Sequence, residues 1–326
     1  MTKGAQPDSE PALDRIAIAL YATVAIAIAF LDFYVRRNPA YAVAAYIPQV
    51  LAGTYEAPFI YRPLAPWLMQ AFANLSGLSP MAAFEILRYG GILGALAAFH
   101  ALLRVWYSSG ACIGATMTMA ALLPFSMTNS WPVPGTYLEL ALFSLGALAV
   151  VRRADGWFAL ILAVSSLNRE TSVFLLLLWV ADRARTSTVG QWMPRGAMLG
   201  AVWLAGAAGV RLAWGLKPYK VFVFGQNLVY LNVFDGTIDP RLRLFAWFWL
   251  VMLAVPVYLA VRGLRAAGAP AFAGPSPLVG LAYVGLCLVA ASIVEPRVLL
   301  PALPLIAPAA MAYVTSLTAA PRSRAV

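Results

Sequence analysis

Continuous apolar runs, separated by short charged segments, cover almost the whole chain. Many are long enough to cross a bilayer as a helix, which takes roughly 20 residues. Backbone polar groups in lipid need partners within the protein, and these runs do not alternate, so helices are favoured over a barrel. The predicted spans are residues 15–35, 80–106, 109–127, 135–151, 196–215, 243–262, 277–294 and 298–316.

Two further apolar stretches do not fit a simple span. Residues 63–75 are too short to cross and follow a Pro-rich opening, which indicates a helix lying on the membrane surface. Residues 157–181 are long enough, but Asn168, Arg169 and Glu170 lie at their centre, where charge is costly. Two short helices meeting at Asn168 would remove that cost, and so would one helix facing a wet cavity.

The predicted fold class is therefore an all-α polytopic membrane protein. It has about eight full transmembrane helices, a pair of short helices, and interfacial helices in the first outer loop. Composition agrees, because 62% of the 326 residues are apolar and 11% are charged, against about half and a quarter in soluble domains. We expect one transmembrane domain over residues 1–326, whose first helix is not a cleaved signal.

The formal net charge of +10 follows from Arg-rich segments between the apolar runs. Positive residues favour the cytoplasmic side, which predicts a polar cytoplasmic N-terminus (1–14) and tail (317–326). The outer loops are then 36–79 and 216–242, in what we expect to be a bacterial inner membrane. No basic and aromatic module indicates a nucleic-acid partner.

Polar residues at the predicted outer rim are the first candidates for chemistry. Asp32 ends the first helix, where a carboxylate can act as a base or simply pair with Arg36. Arg62 follows Tyr61 and precedes a proline-initiated helix, so it is placed either to hold an anion or to anchor the helix at headgroups. Glu56 lies just upstream.

Two other charged groups interrupt apolar sequence. Arg169 and Glu170 either form a functional site with Asn168 or make an internal ion pair. Glu295 and Arg297 flank a proline between the last two spans, and are either part of the same outer site or a paired turn. A third pair, Glu85 and Arg88, lies one turn apart and indicates a structural ion pair.

The sequence gives no sign of a disulfide, a metal site, a nucleotide-binding loop or a common hydrolase site. The two cysteines, Cys112 and Cys287, lie in apolar runs, and the single histidine, His100, lies within a helix. We therefore expect neither a disulfide nor a transition-metal site, and no cofactor, and no cluster of residues indicates a divalent ion. No nucleotide-binding loop or hydrolase motif is present. Polar residues of the second outer loop either line a sugar site or form turns: Asn227, Asn232, Asp235 and Asp239.

The arrangement resembles the C-type superfamily of membrane glycosyltransferases. Asp32 matches the position of the catalytic acid after the first helix, and the segment from Tyr34 through Arg62 to Pro66 is similar to the first outer loop of those enzymes. Asn168, Arg169 and Glu170 are similar to the tip of their short-helix pair. Many relatives have two adjacent acids after the first helix, whereas Phe33 follows Asp32 here.

The resemblance implies inverting transfer of a hexose or pentose from a polyprenyl-phosphate donor on the outer face. The acceptor would be a saccharide, a lipid or a protein. Asp32 would be the base, and Glu56, Tyr61, Arg62, Asn168, Arg169, Glu170, Glu295 and Arg297 would contact substrate. Two alternatives are a flippase for lipid-linked saccharides and a non-catalytic subunit of an envelope-polymer assembly.

Overall fold

The computed structural model describes residues 10–35, 41–124, 135–218, 223–232, 239–266, 269–292 and 295–318. Every regular element in those ranges is helical, so the all-α prediction is confirmed for them. The helices are α1 (Glu10–Val35), α2 (Ala42–Leu51), α3 (Leu64–Ser76), α4 (Pro80–Leu103), α5 (Ser109–Leu122), α6 (Gly135–Val151), α7 (Asp155–Ser166), α8 (Val173–Thr186), α9 (Val189–Trp214), α10 (Phe224–Leu231), α11 (Pro240–Gly263), α12 (Pro275–Ala290) and α13 (Leu303–Thr318).

Six helical segments of the described chain are long and apolar enough to cross a membrane. The predicted span 109–127 extends past α5, which has 14 residues, whereas the predicted span 135–151 has the bounds of α6, with 17 residues. Both helices are shorter than the six long segments, so the predicted number of about eight full spans stays a prediction. The six are Pro11–Leu31, Pro80–Leu103, Val189–Trp214, Pro240–Gly263, Ala271–Ala290 and Arg297–Thr318.

The helix ends follow from local chemistry. Helix α4 begins at a proline, and the Ser79 side chain accepts a hydrogen bond from the Ala82 amide. Helix α9 begins with a capping box between Thr188 and Gln191. Helix α3 ends at Gly77, whose φ of 69° is accessible to glycine without strain.

The two stretches that did not fit a simple span are both helical, and the second is broken near Asn168. The helix expected over 63–75 is α3, although its place at a membrane surface stays a prediction. The stretch 157–181 is divided into α7 and α8, which are separated by a turn and a short 3-10 segment, Glu170–Ser172. The two-helix alternative is therefore the one observed.

Helix α6 lies at the centre of the helical packing, against α4, α7, α8 and α13. Its Phe143 ring meets Tyr283 of α12 edge to face, with 5.7 Å between ring centroids. Helices α9 and α11 instead keep large apolar side chains exposed, among them Leu204 and Val255. Such outward apolar faces suit contact with lipid rather than water.

Polar clusters tie the first helix to its neighbours. Ser109 donates a hydrogen bond to Asp14 at 2.6 Å, and His100 lies between Asp14 and Tyr21, with its Nδ1 2.7 Å from the Tyr21 hydroxyl. The predicted Glu85–Arg88 ion pair is confirmed. Within the described ranges, no three His, Cys, Asp or Glu side chains are grouped as metal ligands.

Candidate functional site

A cavity of about 360 Å³ lies where the first loop, the break between α7 and α8, and helix α12 meet. Its polar wall is formed by Arg62, Arg169, Glu170 and Thr171. The rest of its wall is mostly apolar and comes from residues far apart in sequence. These are Pro58, Val173, Trp203, Tyr283, Leu286, Cys287, Ala290, Ala291 and Val298.

One backbone contact brings the two arginines of the cavity together. The Leu64 amide, at the start of α3, donates a hydrogen bond to the Leu167 carbonyl oxygen at 3.2 Å. Arg62 precedes this contact and Arg169 follows it by two residues each. The start of the first-loop helix is thus fixed against the break between the short helices.

Arg62 forms no ion pair among the described residues, although the negative charges of Glu170 and Glu139 act on it. Its Nε is buried and has no hydrogen-bond partner there, and its guanidinium lies 5.3 Å from the centre of the Phe59 ring. Burial lowers the pKa of the Arg62 guanidinium, and the charge of Arg169 lowers it further. Because an arginine pKa begins so high, the side chain remains charged at neutral pH.

Arg169 is held on one side and free on the other. Its Nη1 lies 2.8 Å from Oε2 of Glu139, and the exposed fractions of the two side chains are 5% and 2%. Thr171 donates to the other Glu139 oxygen at 2.7 Å. The Nη2 atom of Arg169 is buried with no hydrogen-bond partner in the described chain. Glu139 therefore fixes the guanidinium while leaving donor capacity unused.

Glu170 is anchored by an arginine from α9. Its Oε1 accepts a hydrogen bond from Nη2 of Arg211 at 2.7 Å. Arg211 also lies over the Tyr61 ring, 4.5 Å from its centre. The Tyr61 hydroxyl in turn donates to the Gly215 carbonyl oxygen at 2.9 Å and accepts from the Lys217 amide at 2.6 Å. This chain of contacts joins the first loop to the end of α9.

Comparison with known proteins finds no matching protein family, no similar curated protein and no similar solved structure. The chemistry of the cavity must therefore be argued from its own residues.

The predicted Glu295–Arg297 pair adjoins the cavity rather than lining it. Arg297 is 2% exposed, and its Nη2 lies 2.8 Å from Glu295 Oε2. Burial raises the pKa of Glu295, but the charge of Arg297 and its hydrogen bonds lower it by more, so the carboxyl titrates below its usual range. Val298, directly after the pair, is in the cavity wall.

Other sequence-predicted residues lie elsewhere. Glu56 is exposed and is not part of the cavity wall. Asn168 is buried, and its amide donates to the Gly135 carbonyl oxygen at 3.0 Å. Asn227 donates to the carbonyl oxygens of Leu288 and Ala291, so it joins α10 to α12.

Two acids predicted from the sequence have side chains that lie outside the described part of the chain. Asp32 lies on α1, but its side chain is outside the described part of the chain, as is Asp235.

Asp239, in contrast, has a structural role. Its side chain caps α11 by accepting a hydrogen bond from the Arg241 amide at 2.8 Å.

Three contributors were not predicted as site residues: Glu139, which the sequence left ambiguous, Arg211 and Trp203. Glu139 and Arg211 each carry charge inside an apolar run, and this was the signal that marks them. Trp203 lines the cavity and donates through Nε1 to the Ser172 hydroxyl at 3.0 Å, but nothing in the local sequence distinguishes it from other apolar-run tryptophans.

Proposed function

We propose that this chain is a membrane glycosyltransferase of the C type, which moves a sugar from a polyprenyl-phosphate donor to an acceptor on the outer face of the membrane. Arg62 and Arg169 hold the phosphate of the donor. The acceptor is a saccharide, a lipid or a protein.

The observation that carries the proposal is the unused donor capacity of two neighbouring arginines, the half-buried Arg62 and the buried Arg169. Arg62 Nε and Arg169 Nη2 are both buried without hydrogen-bond partners in the described chain, and both residues line one cavity. Leaving buried charged donors unsatisfied is costly, and two adjacent cations also repel each other. An anion with several oxygen acceptors removes both costs, and a phosphate fits the planar guanidinium best.

The rest of the wall supports a ligand that is anionic at one end and apolar at the other. Trp203, Leu286 and Ala290 face the cavity across from the arginines. Leu286 is 43% exposed on the outer face of α12, so the cavity adjoins a surface suited to lipid. A soluble sugar phosphate has no apolar part to bury against this wall. A lipid-linked phosphate can pack its hydrocarbon chain there, which removes apolar surface from water.

The chemistry agrees with this placement. When the bond between sugar and phosphate breaks, negative charge accumulates on the phosphate oxygens. Fixed guanidinium donors in a site with little water stabilise that charge more strongly than bulk water can. A carboxylate must also take the proton of the acceptor hydroxyl. The resemblance implies Asp32 for that role, and its side chain lies outside the described part of the chain.

The test uses the purified full-length protein in lipid nanodiscs with a panel of polyprenyl-phosphate sugars. We expect transfer by the native protein and a loss of donor affinity of about 10- to 100-fold in Arg62→Ala, the size expected for a hydrogen bond to a charged group. Arg195→Ala is the matched control, because that side chain is 68% exposed and is not part of the cavity wall.

The alternatives give different results. Binding of lipid phosphates without sugar transfer, accompanied by movement of lipid-linked saccharide between leaflets, would favour a flippase. Equal binding by the native protein and Arg62→Ala would remove the basis of the phosphate site and of the proposal.

A further inference from the structure

Glu170 is the carboxylate that shares a wall with both arginines in the described chain. It begins the 3-10 segment Glu170–Ser172, directly after Arg169, and it lines the cavity. Its negative charge acts on the buried Arg62 guanidinium, which places the two groups close together.

The two oxygens of Glu170 have different surroundings. Oε1 accepts the hydrogen bond from Arg211, whereas Oε2 has no hydrogen-bond partner among the described residues. The Glu170 side chain is 29% exposed, so water or a ligand reaches it. One oxygen therefore fixes the orientation of the carboxylate, and the other is available to accept a proton or a hydroxyl donor.

The other carboxylates near the cavity do not combine one anchored oxygen with a second oxygen that a ligand can reach. Glu139 is 2% exposed, is occupied by Arg169 and Thr171, and is not in the cavity wall. Glu295 is held by Arg297 beside the cavity. Glu56 is exposed away from it. Within the described chain, an acceptor seated beside the phosphate site therefore meets Glu170.

Arg211 makes this carboxylate rigid. Its Nη1 donates to the Ala207 carbonyl oxygen at 2.9 Å and its guanidinium lies over the Tyr61 ring, so the ion pair to Glu170 is itself supported on two sides. A positioned carboxylate beside two phosphate-binding cations has the layout of a proton acceptor next to a leaving group.

We propose that Glu170 is the catalytic base of the transfer, an inference that rests on the proposed function. The acceptor hydroxyl gives its proton to Glu170 Oε2 while its oxygen forms a bond to the anomeric carbon of the sugar. The bond from that carbon to the phosphate oxygen breaks, and its electron pair stays on the phosphate, where Arg62 and Arg169 stabilise it. The anomeric configuration inverts in this single displacement.

The experiment compares native protein, Glu170→Gln, Glu170→Asp, Asp32→Asn and the Arg195→Ala control in nanodiscs. We expect Glu170→Gln to lower the transfer rate by about 100- to 10,000-fold, the range for loss of a general base. Donor affinity should stay within about threefold, and Glu170→Asp should recover part of the rate. Thermal unfolding of each variant reports whether it is folded.

A second measurement separates a base from a structural carboxylate. Azide needs no deprotonation, so it should react with the donor in Glu170→Ala and release a glycosyl azide of inverted configuration. A terminal nitrogen of azide forms a bond to the anomeric carbon. The bond from that carbon to the phosphate oxygen breaks, and its electron pair stays on the phosphate. Arg62→Ala should give no such product, because the leaving phosphate is no longer stabilised.

The outcomes distinguish this inference from the proposed function. Transfer by native protein with a rate within threefold in Glu170→Gln overturns the base assignment alone, and a large loss in Asp32→Asn would then assign the role to Asp32. Parallel loss of donor binding and transfer in Glu170→Gln, with no azide product, makes Glu170 structural. Native protein that transfers no sugar from any donor overturns both.

Discussion

The Leu64 amide donates a hydrogen bond to the Leu167 carbonyl oxygen at 3.2 Å, across 103 positions of sequence. It joins the start of helix α3 to the break between α7 and α8. Arg62 and Arg169 each lie two residues from this contact, and both line the cavity. The contact therefore helps to hold the two cations of the proposed phosphate site in one wall.

Replacing Arg62 by Leu should stabilise the fold. The side chain makes no ion pair in the described chain, and its Nε is buried without a hydrogen-bond partner, a condition that costs about 1–3 kcal/mol. We expect the free energy of unfolding to rise by that order while binding of polyprenyl phosphate falls. Chemical denaturation in detergent gives the first quantity, and native mass spectrometry gives the second.

Arg211→Leu is the matched control for that result. The same substitution here removes the partner of Glu170 and the cation over Tyr61, so the free energy of unfolding should fall. If both leucine variants are destabilised alike, Arg62 has a structural partner and the anion site loses its basis.

Replacing Glu139 by Gln should be strongly destabilising. It keeps the size of the side chain but leaves the buried Arg169 without its carboxylate, which costs about 3–5 kcal/mol when a buried pair is broken. Glu56→Gln, at an exposed position, should change unfolding by less than about 0.5 kcal/mol. Parallel denaturation curves check both, and equal stability of the two variants would contradict the role of Glu139.

The Glu295–Arg297 pair should make stability depend on acid. Since Arg297 holds the pKa of Glu295 below its usual range, the pair stabilises the fold above the usual carboxyl pKa. That contribution is lost as pH falls through the lowered value. Glu295→Gln should therefore be less stable than native protein at pH 7, and the difference should shrink on acidification. A difference that stays constant from pH 7 to strong acid would show that the ion pair is not its source.

Topology is testable with single cysteines after Cys112 and Cys287 are replaced. Ala44 and Gln226 are exposed on segments predicted to lie outside. Ala184 is exposed between Arg183 and Arg185 in the last turn of α8, and positive residues favour the cytoplasmic side. An impermeant thiol reagent on intact cells should label the first two and not the third. The reverse pattern would put the cavity side in the cytoplasm and remove the outer-face reaction.

Periodicity and helix-breaking residues predicted much of the fold. The uninterrupted apolar runs predicted the helices, and the polar Asn168 with the charged Arg169 and Glu170 located the break between α7 and α8. The length of α5 was overestimated, because apolar character alone does not mark where a helix stops. Six segments of the described chain are long and apolar enough to cross a membrane, and the total of about eight crossings stays a prediction.

The candidate site was predicted only in part. Arg62, Arg169 and Glu170 were marked because charge in or beside apolar sequence is costly, and they do meet in one cavity. The partners of these residues depend on long-range packing: Glu139 with Arg169, and Arg211 with Glu170. Local sequence cannot pair charges that lie 30 or more positions apart, as these do from 139 to 169 and from 170 to 211.

The contact between Asn168 and Gly135 constrains how this chain can diverge. A methyl group built on Gly135 would lie 2.7 Å from the Asn168 Oδ1, so any larger residue at position 135 displaces the amide that bonds its carbonyl oxygen. The two positions are therefore a coupled unit. Among sequences that diverge from this one, a side chain at position 135 should appear together with a smaller residue at position 168, and a change at one position alone should be rare.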